Sequence, residues 1–163
     1  MSFVPDSMKK VFEAAGWVRG RQVDVASAVP IDHPAHSVLA ELGGVTLTDA
    51  APGIRSIAFG HVAEGESDMA AWATALGTDM VGIAEQDGGH ATLYLSGLGQ
   101  VIGCSNVHPA CFLIGHTIGE ALDAIGHGKR AQPMLLPDED KITLYGVTFR
   151  QGDQEVIGPN DLI

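Results

Sequence analysis

Apolar residues recur along this chain in two rhythms. Over residues 5–15, Met8, Val11, Phe12 and Ala15 fall three and four apart, which gathers them on one face of a helix. Asp6 or Ser7 offers an N-cap, and Gly16 offers a stop. The same rhythm predicts helices over 34–42, with Pro34 in the first turn, over 67–76, with Ser67 or Asp68 as cap, and over 117–125. Between them the period drops to two. Strands are expected from Val45, over 54–62, over 80–84 and 91–95 around the turn Gln86-Asp-Gly-Gly89, over 100–104, and late in the chain over 141–150.

The order helix, helix, strands, helix, strands, helix, strand lacks the regular alternation of a parallel βαβ sheet. It predicts an α+β fold: one mostly antiparallel or mixed sheet flanked by about four helices. The 163 residues fit a single domain over 1–163, with 133–140 as the one candidate linker and 131–163 as a C-terminal extension carrying the late strand.

Charge changes the picture more than composition does. Nine Lys and Arg stand against twenty Asp and Glu, a formal net charge of −11. Nucleic acid needs a basic footprint and an anionic membrane attracts one, so neither is expected as a direct partner. No apolar run is long enough to span a bilayer, and the first ten residues lack the apolar core of a secretory signal, so a cytoplasmic location is expected. The uneven spread matters further. Residues 56–128 contain no Lys or Arg, yet hold Glu64, Glu66, Asp68, Asp79, Glu85, Asp87, Glu120 and Asp123. A surface normally mixes both signs, so this stretch suggests a negative face suited to a basic protein.

Candidate chemistry is sparse. Cys104, His108, Cys111 and His116 are zinc-ligand types in one short stretch, but their spacing fits paired zinc ligands only loosely, and neither metal nor cofactor is expected. Two cysteines are too few for a disulfide framework; in a reducing cytosol they read as small half-buried apolar side chains, with one intrachain disulfide left open. His33 and His36 flank a helix start, where capping is the expected role. No Gly-x-Ser-x-Gly elbow or Gly-Lys-Ser/Thr loop occurs, and Gly97-Leu-Gly99 leads into a strand rather than a phosphate-binding helix. No catalytic residue is assigned.

Residues 11–21 (Val-Phe-Glu-Ala-Ala-Gly-Trp-Val-Arg-Gly-Arg) place an AGW-x-x-GR turn after an amphipathic helix. Residues 38–47 end a helix in Leu-Gly-Gly before an apolar strand, and 119–128 form a closing helix. In this order the motifs resemble the immunity-protein branch of the SUKH superfamily, from about residue 5 to residue 130. Where that branch commonly has Pro-x-Gly before the acidic turn, this chain has Val81-Gly-Ile-Ala-Glu85. The resemblance implies an α+β binding domain that neutralises a bacterial toxin, often a nuclease or nucleic-acid deaminase, without catalytic residues of its own. A basic toxin would meet Glu64, Glu66, Asp68, Glu85 and Asp87, which the sequence places at a helix entry and a hairpin turn. Two other functions stay open: a small metal-binding protein or enzyme built on the Cys104/His108/Cys111/His116 cluster, and an adaptor module.

Overall fold

The structure is a computed structural model that describes residues 2–63, 69–144 and 146–163. A 3-10 turn at Asp6–Met8 leads into α1 (Lys9–Ala14), followed by α2 (Pro34–Leu42), β1 (Thr46–Ala51) and β2 (Ile54–Val62). Next come α3 (Met69–Leu76), β3 (Met80–Gln86), β4 (Ala91–Ser96), β5 (Val101–Ser105) and β6 (Cys111–Gly115). The chain closes with α4 (Ile118–Gly126), β7 (Gln132–Met134), β8 (Lys141–Leu144) and β9 (Val147–Arg150). Strands β1 to β7 form one antiparallel sheet in sequence order, and β8 pairs β9 in a separate hairpin. The fold is α+β with one main sheet, as the periodicities predict.

Local chemistry explains the helix ends. His33 caps α2: its Nδ1 accepts from the Ala35 N–H at 3.1 Å, with Pro34 in the first turn. Thr117 caps α4 through its hydroxyl, which accepts from the Glu120 N–H at 3.1 Å, while the Glu120 carboxylate takes the His116 N–H at 3.0 Å. The first helix is shorter than its apolar pattern suggests. Its opening turn is 3-10, and Val11 is left 39% exposed while Met8 and Phe12 are buried. The proposed caps of α3, Ser67 and Asp68, lie outside the described residues.

Alternation along β4 sorts side chains into two cores. Leu93 and Leu95 join Phe12, Leu39, Leu42 and Leu122 beneath α1, α2 and α4. Tyr94 turns the other way, to Trp72, Leu76, Ile102 and Leu113 beneath α3. All six β4 residues are buried, so this strand reads as a continuous run rather than alternating polar and apolar. Trp72 is core, and so is Trp17, whose ring meets Phe12 edge-on at 6.3 Å between centroids. Arg19 remains exposed, while Arg21 donates through Nη1 to the Glu41 carbonyl at 2.9 Å.

Three expectations need correction. The late strand over 141–150 is a hairpin, β8–β9, with Gly146 at φ 77° just before β9. Only two residues separate the strands, so the alternating pattern runs on while its faces swap: Ile142 pairs with Phe149 and Leu144 with Val147. Residues 133–140 are not a linker: Pro133 and Met134 belong to β7, and Leu135 and Leu136 are buried. The chain then returns to the domain. Ile157 bridges Met134, the Gln100 Nε2 donates to the Leu162 carbonyl at 2.8 Å, and Leu162 is buried in the α3-side core. Finally, Cys104 and Cys111 are joined in a disulfide between facing residues of β5 and β6, both buried, with Cα atoms 4.2 Å apart. The short loop between these strands puts two cysteines seven residues apart directly opposite each other, which spacing alone does not reveal.

Candidate binding clefts on two sides of the sheet

The disulfide forms part of the floor of a cleft of about 490 Å³ on the α3 side, together with Thr92 and Tyr94. One wall is the end of β2, Val62 and Ala63; another is the loop over residues 105–110. Asn106 holds that loop down, its Nδ2 donating to the Gly89 carbonyl at 2.9 Å and to the Thr92 hydroxyl at 3.0 Å. Glu85 stands exposed at the rim, opposite Thr92 in the β3–β4 register. Among the described residues it is the only carboxylate lining this cleft, and no lysine or arginine lines it.

Asp87 lies elsewhere. It sits in the β3–β4 turn at φ 52°, a left-handed conformation that Asp tolerates better than most residues. Its carboxylate accepts from the backbone N–H groups of Arg55 at 2.7 Å and Ser56 at 3.1 Å, stapling the turn to β2. Burial raises its pKa, but the Ser56 and Arg55 N–H groups outweigh that and hold the carboxyl below its usual range. Asp87 lines a second cleft, of about 1140 Å³, with Arg55, His90, His108 and Lys141. Glu85 and Asp87 are two residues apart in sequence but open into different clefts. Glu64, Glu66 and Asp68 lie outside the described residues, in the segment that follows Ala63.

The second cleft runs on into a third, of about 300 Å³, roofed by β8–β9 and closed at one end by the chain leaving α4. The two share Gly53, Gln86, Phe112 and Leu144. Phe112 can lie over β5 because its register partner is Gly103; a Cβ there would sit 2.5 Å from the ring. Lys129 and Arg130 line the third cleft, Arg55 and Lys141 the second. Four of the chain's nine lysines and arginines therefore line these two adjoining clefts. Arg55, Arg130 and Lys141 make no ion pair with any described residue, and Lys129 Nζ stands 3.7 Å from Asp123. The Asp123 carboxyl is held below its usual range, chiefly by the Ser7 hydroxyl donating to it at 2.6 Å, with burial opposing and His127 and Lys129 adding to the effect.

Sequence reasoning missed this basic site, although its signal was present. Arg55 and Lys129 are the two ends of the stretch without lysine or arginine, and folding brings both to one region. It also missed Glu41, buried on α2, whose carboxylate accepts from the Ser2 hydroxyl at 2.5 Å and the Phe3 N–H at 3.1 Å and so ties down the N-terminal segment.

The four zinc-ligand types do not converge as thiolates and imidazoles here, because the cysteines bond to each other. Among the described residues, no group of three or more His, Cys, Asp or Glu side chains is placed to hold a metal ion. No helix among them is long and apolar enough to cross a membrane. No family model, curated protein or solved structure matches the chain.

Proposed function

We propose that this chain is an immunity-type binding protein of SUKH kind, not an enzyme, which neutralises a basic bacterial toxin by covering it with an acidic surface. The observation that carries this reading is the α3-side cleft, where Glu85 stands exposed at the rim and no lysine or arginine among the described residues lines the cleft. A site with carboxylate and no cation steers a basic partner and rejects acidic ones. The motifs over 11–21 and 38–47 support the same assignment. They build the Trp17 turn against α1 and the Gly43-Gly44 exit from α2 into the sheet, which makes them scaffold rather than contact residues. The toxin would be a nuclease or nucleic-acid deaminase, whose substrate-binding surface is basic.

The test is binding to basic nuclease and nucleic-acid deaminase toxins of bacteria, followed by surface plasmon resonance at low and high salt. Association that slows with added salt, and slows about tenfold or more when Glu85 becomes Lys, is expected for a charge at the rim of the contact. Association indifferent to both salt and Glu85→Lys would remove the acidic cleft from the contact and the reading with it.

A further inference from the structure

The cleft under the β8–β9 hairpin has the opposite character. Its walls are apolar: Ile54 from β2, Phe112 and Ile114 from β6, Ile125 from α4, and Leu144 and Phe149 from the hairpin. Its volume of about 300 Å³ is at the lower end of what small-ligand sites occupy. Among the described residues, the only charged side chains lining it are Lys129 and Arg130. At its open end it adjoins the cleft lined by Arg55 and Lys141, where Asp87 is the one carboxylate among the described residues. That carboxylate is held by two backbone N–H groups of β2 and forms no ion pair with either cation.

A chain of net charge −11 has carboxylates to spare, yet Arg55, Arg130 and Lys141 are left without ionic partners among the described residues. Cations on the wall of an apolar pocket match a ligand with an apolar body and an anionic head. We propose that this cleft is a binding site for a small amphipathic anion, a carboxylate or phosphate ester carrying an alkyl or aryl group. The apolar part lies between Phe112 and the hairpin, and the head lies against Lys129 and Arg130. Apolar burial gives such a complex its affinity, and the cations select the charged head group over a neutral one. The site does not depend on toxin binding, because it lies on the other side of the sheet from Glu85.

Calorimetric titration of the full chain with decanoate, decanol and inorganic phosphate separates the parts of this inference. Decanoate is expected to bind at one site per chain, at least tenfold more tightly than either decanol or phosphate. In the double variant Lys129→Gln, Arg130→Gln, decanoate should weaken at least tenfold while decanol is unchanged. Both side chains are exposed, so the variant is expected to keep its fold, and an unchanged circular dichroism melt checks this. Glu85→Gln, on the other cleft, should leave decanoate binding as it is. Absence of decanoate binding, equal affinity for decanoate and decanol, phosphate binding as tightly as decanoate, or a double variant that binds decanoate normally would each overturn the proposal.

Discussion

On the α3 side of the sheet, Glu85 stands over Thr92, Tyr94 and the disulfide, with no lysine or arginine among the described residues lining the cleft. Under the β8–β9 hairpin, Lys129 and Arg130 line an apolar pocket, and Arg55 and Lys141 line the cleft that adjoins it. Strands β2, β3 and β6 contribute to both sides, and the loop 105–110 lines the α3-side cleft and the adjoining one. Their difference comes from what is laid over each side. The α3 side draws on the stretch of chain that carries only acids. The hairpin side is bounded by β2, the exit from α4 and the C-terminal extension, where the basic residues reappear. Strand alternation then keeps the two sets apart: Glu85 opens to one cleft and the next residue, Gln86, to the other. A net charge of −11 thus describes neither cleft.

The largest expected effect comes from removing the anchor of the α3 side. Trp72 is 1% exposed and joins α3 to the core that holds Tyr94, Ile102 and Leu113. Trp72→Ala should lower unfolding free energy by about 3–5 kcal/mol, read from urea denaturation. While the variant is folded, decanoate binding in the opposite cleft should persist. Loss of both together in the folded variant would mean that the two sides do not act independently.

The disulfide is next in size, and it bears on the α3-side cleft and on the cleft lined by Asp87, because it pins the two ends of the loop they share. Closing so short a loop restricts the unfolded chain by roughly 2–3 kcal/mol. The double variant Cys104→Ala, Cys111→Ala should lose about that amount, and amide exchange should quicken over 105–110 ahead of the rest of the sheet. Exchange unchanged in the loop would show that Asn106 alone holds it.

How far the sequence reveals these features depends on how local each one is. The helices and the hairpin strands β3 and β4 are legible because period and turn chemistry are short-range properties. The strand at 111–115 is not, since its Cys-Phe-Leu-Ile-Gly run is apolar without alternation and the neighbouring histidines draw attention to metal chemistry instead. The β8–β9 hairpin hides because a two-residue turn leaves the alternation unbroken. Of the candidate site residues, Glu85 and Asp87 look equivalent in sequence, one residue either side of Gln86. Only the structure shows that they open into different clefts and that Asp87 alone staples β2 to the turn. The basic cleft joins residue 55 to residues 129, 130 and 141, a long-range coincidence that no local pattern announces.

The smallest effect tests that distinction between the two acids. Asp87 has a folded-state pKa below its unfolded one, so between the two values the unfolded chain takes up the proton more readily than the folded chain. Its contribution is therefore complete above the unfolded value, about pH 4, and drains away as pH falls through the folded value. Asp87→Asn retains an acceptor oxygen and tolerates the left-handed backbone, but cannot gain or lose that charge. The partly buried, solvent-screened position limits the cost to about 1 kcal/mol or less at neutral pH. The variant's melting temperature should fall less steeply than the parent's between about pH 5 and pH 3, so that the two curves converge at the acid end. Glu85→Gln, by contrast, removes no hydrogen bond made among the described residues, and should leave the melting temperature at pH 7 as it is. If Asp87→Asn kept an acid limb as steep as the parent's, its carboxylate would not be the staple and the contrast between the two acids would have to be redrawn.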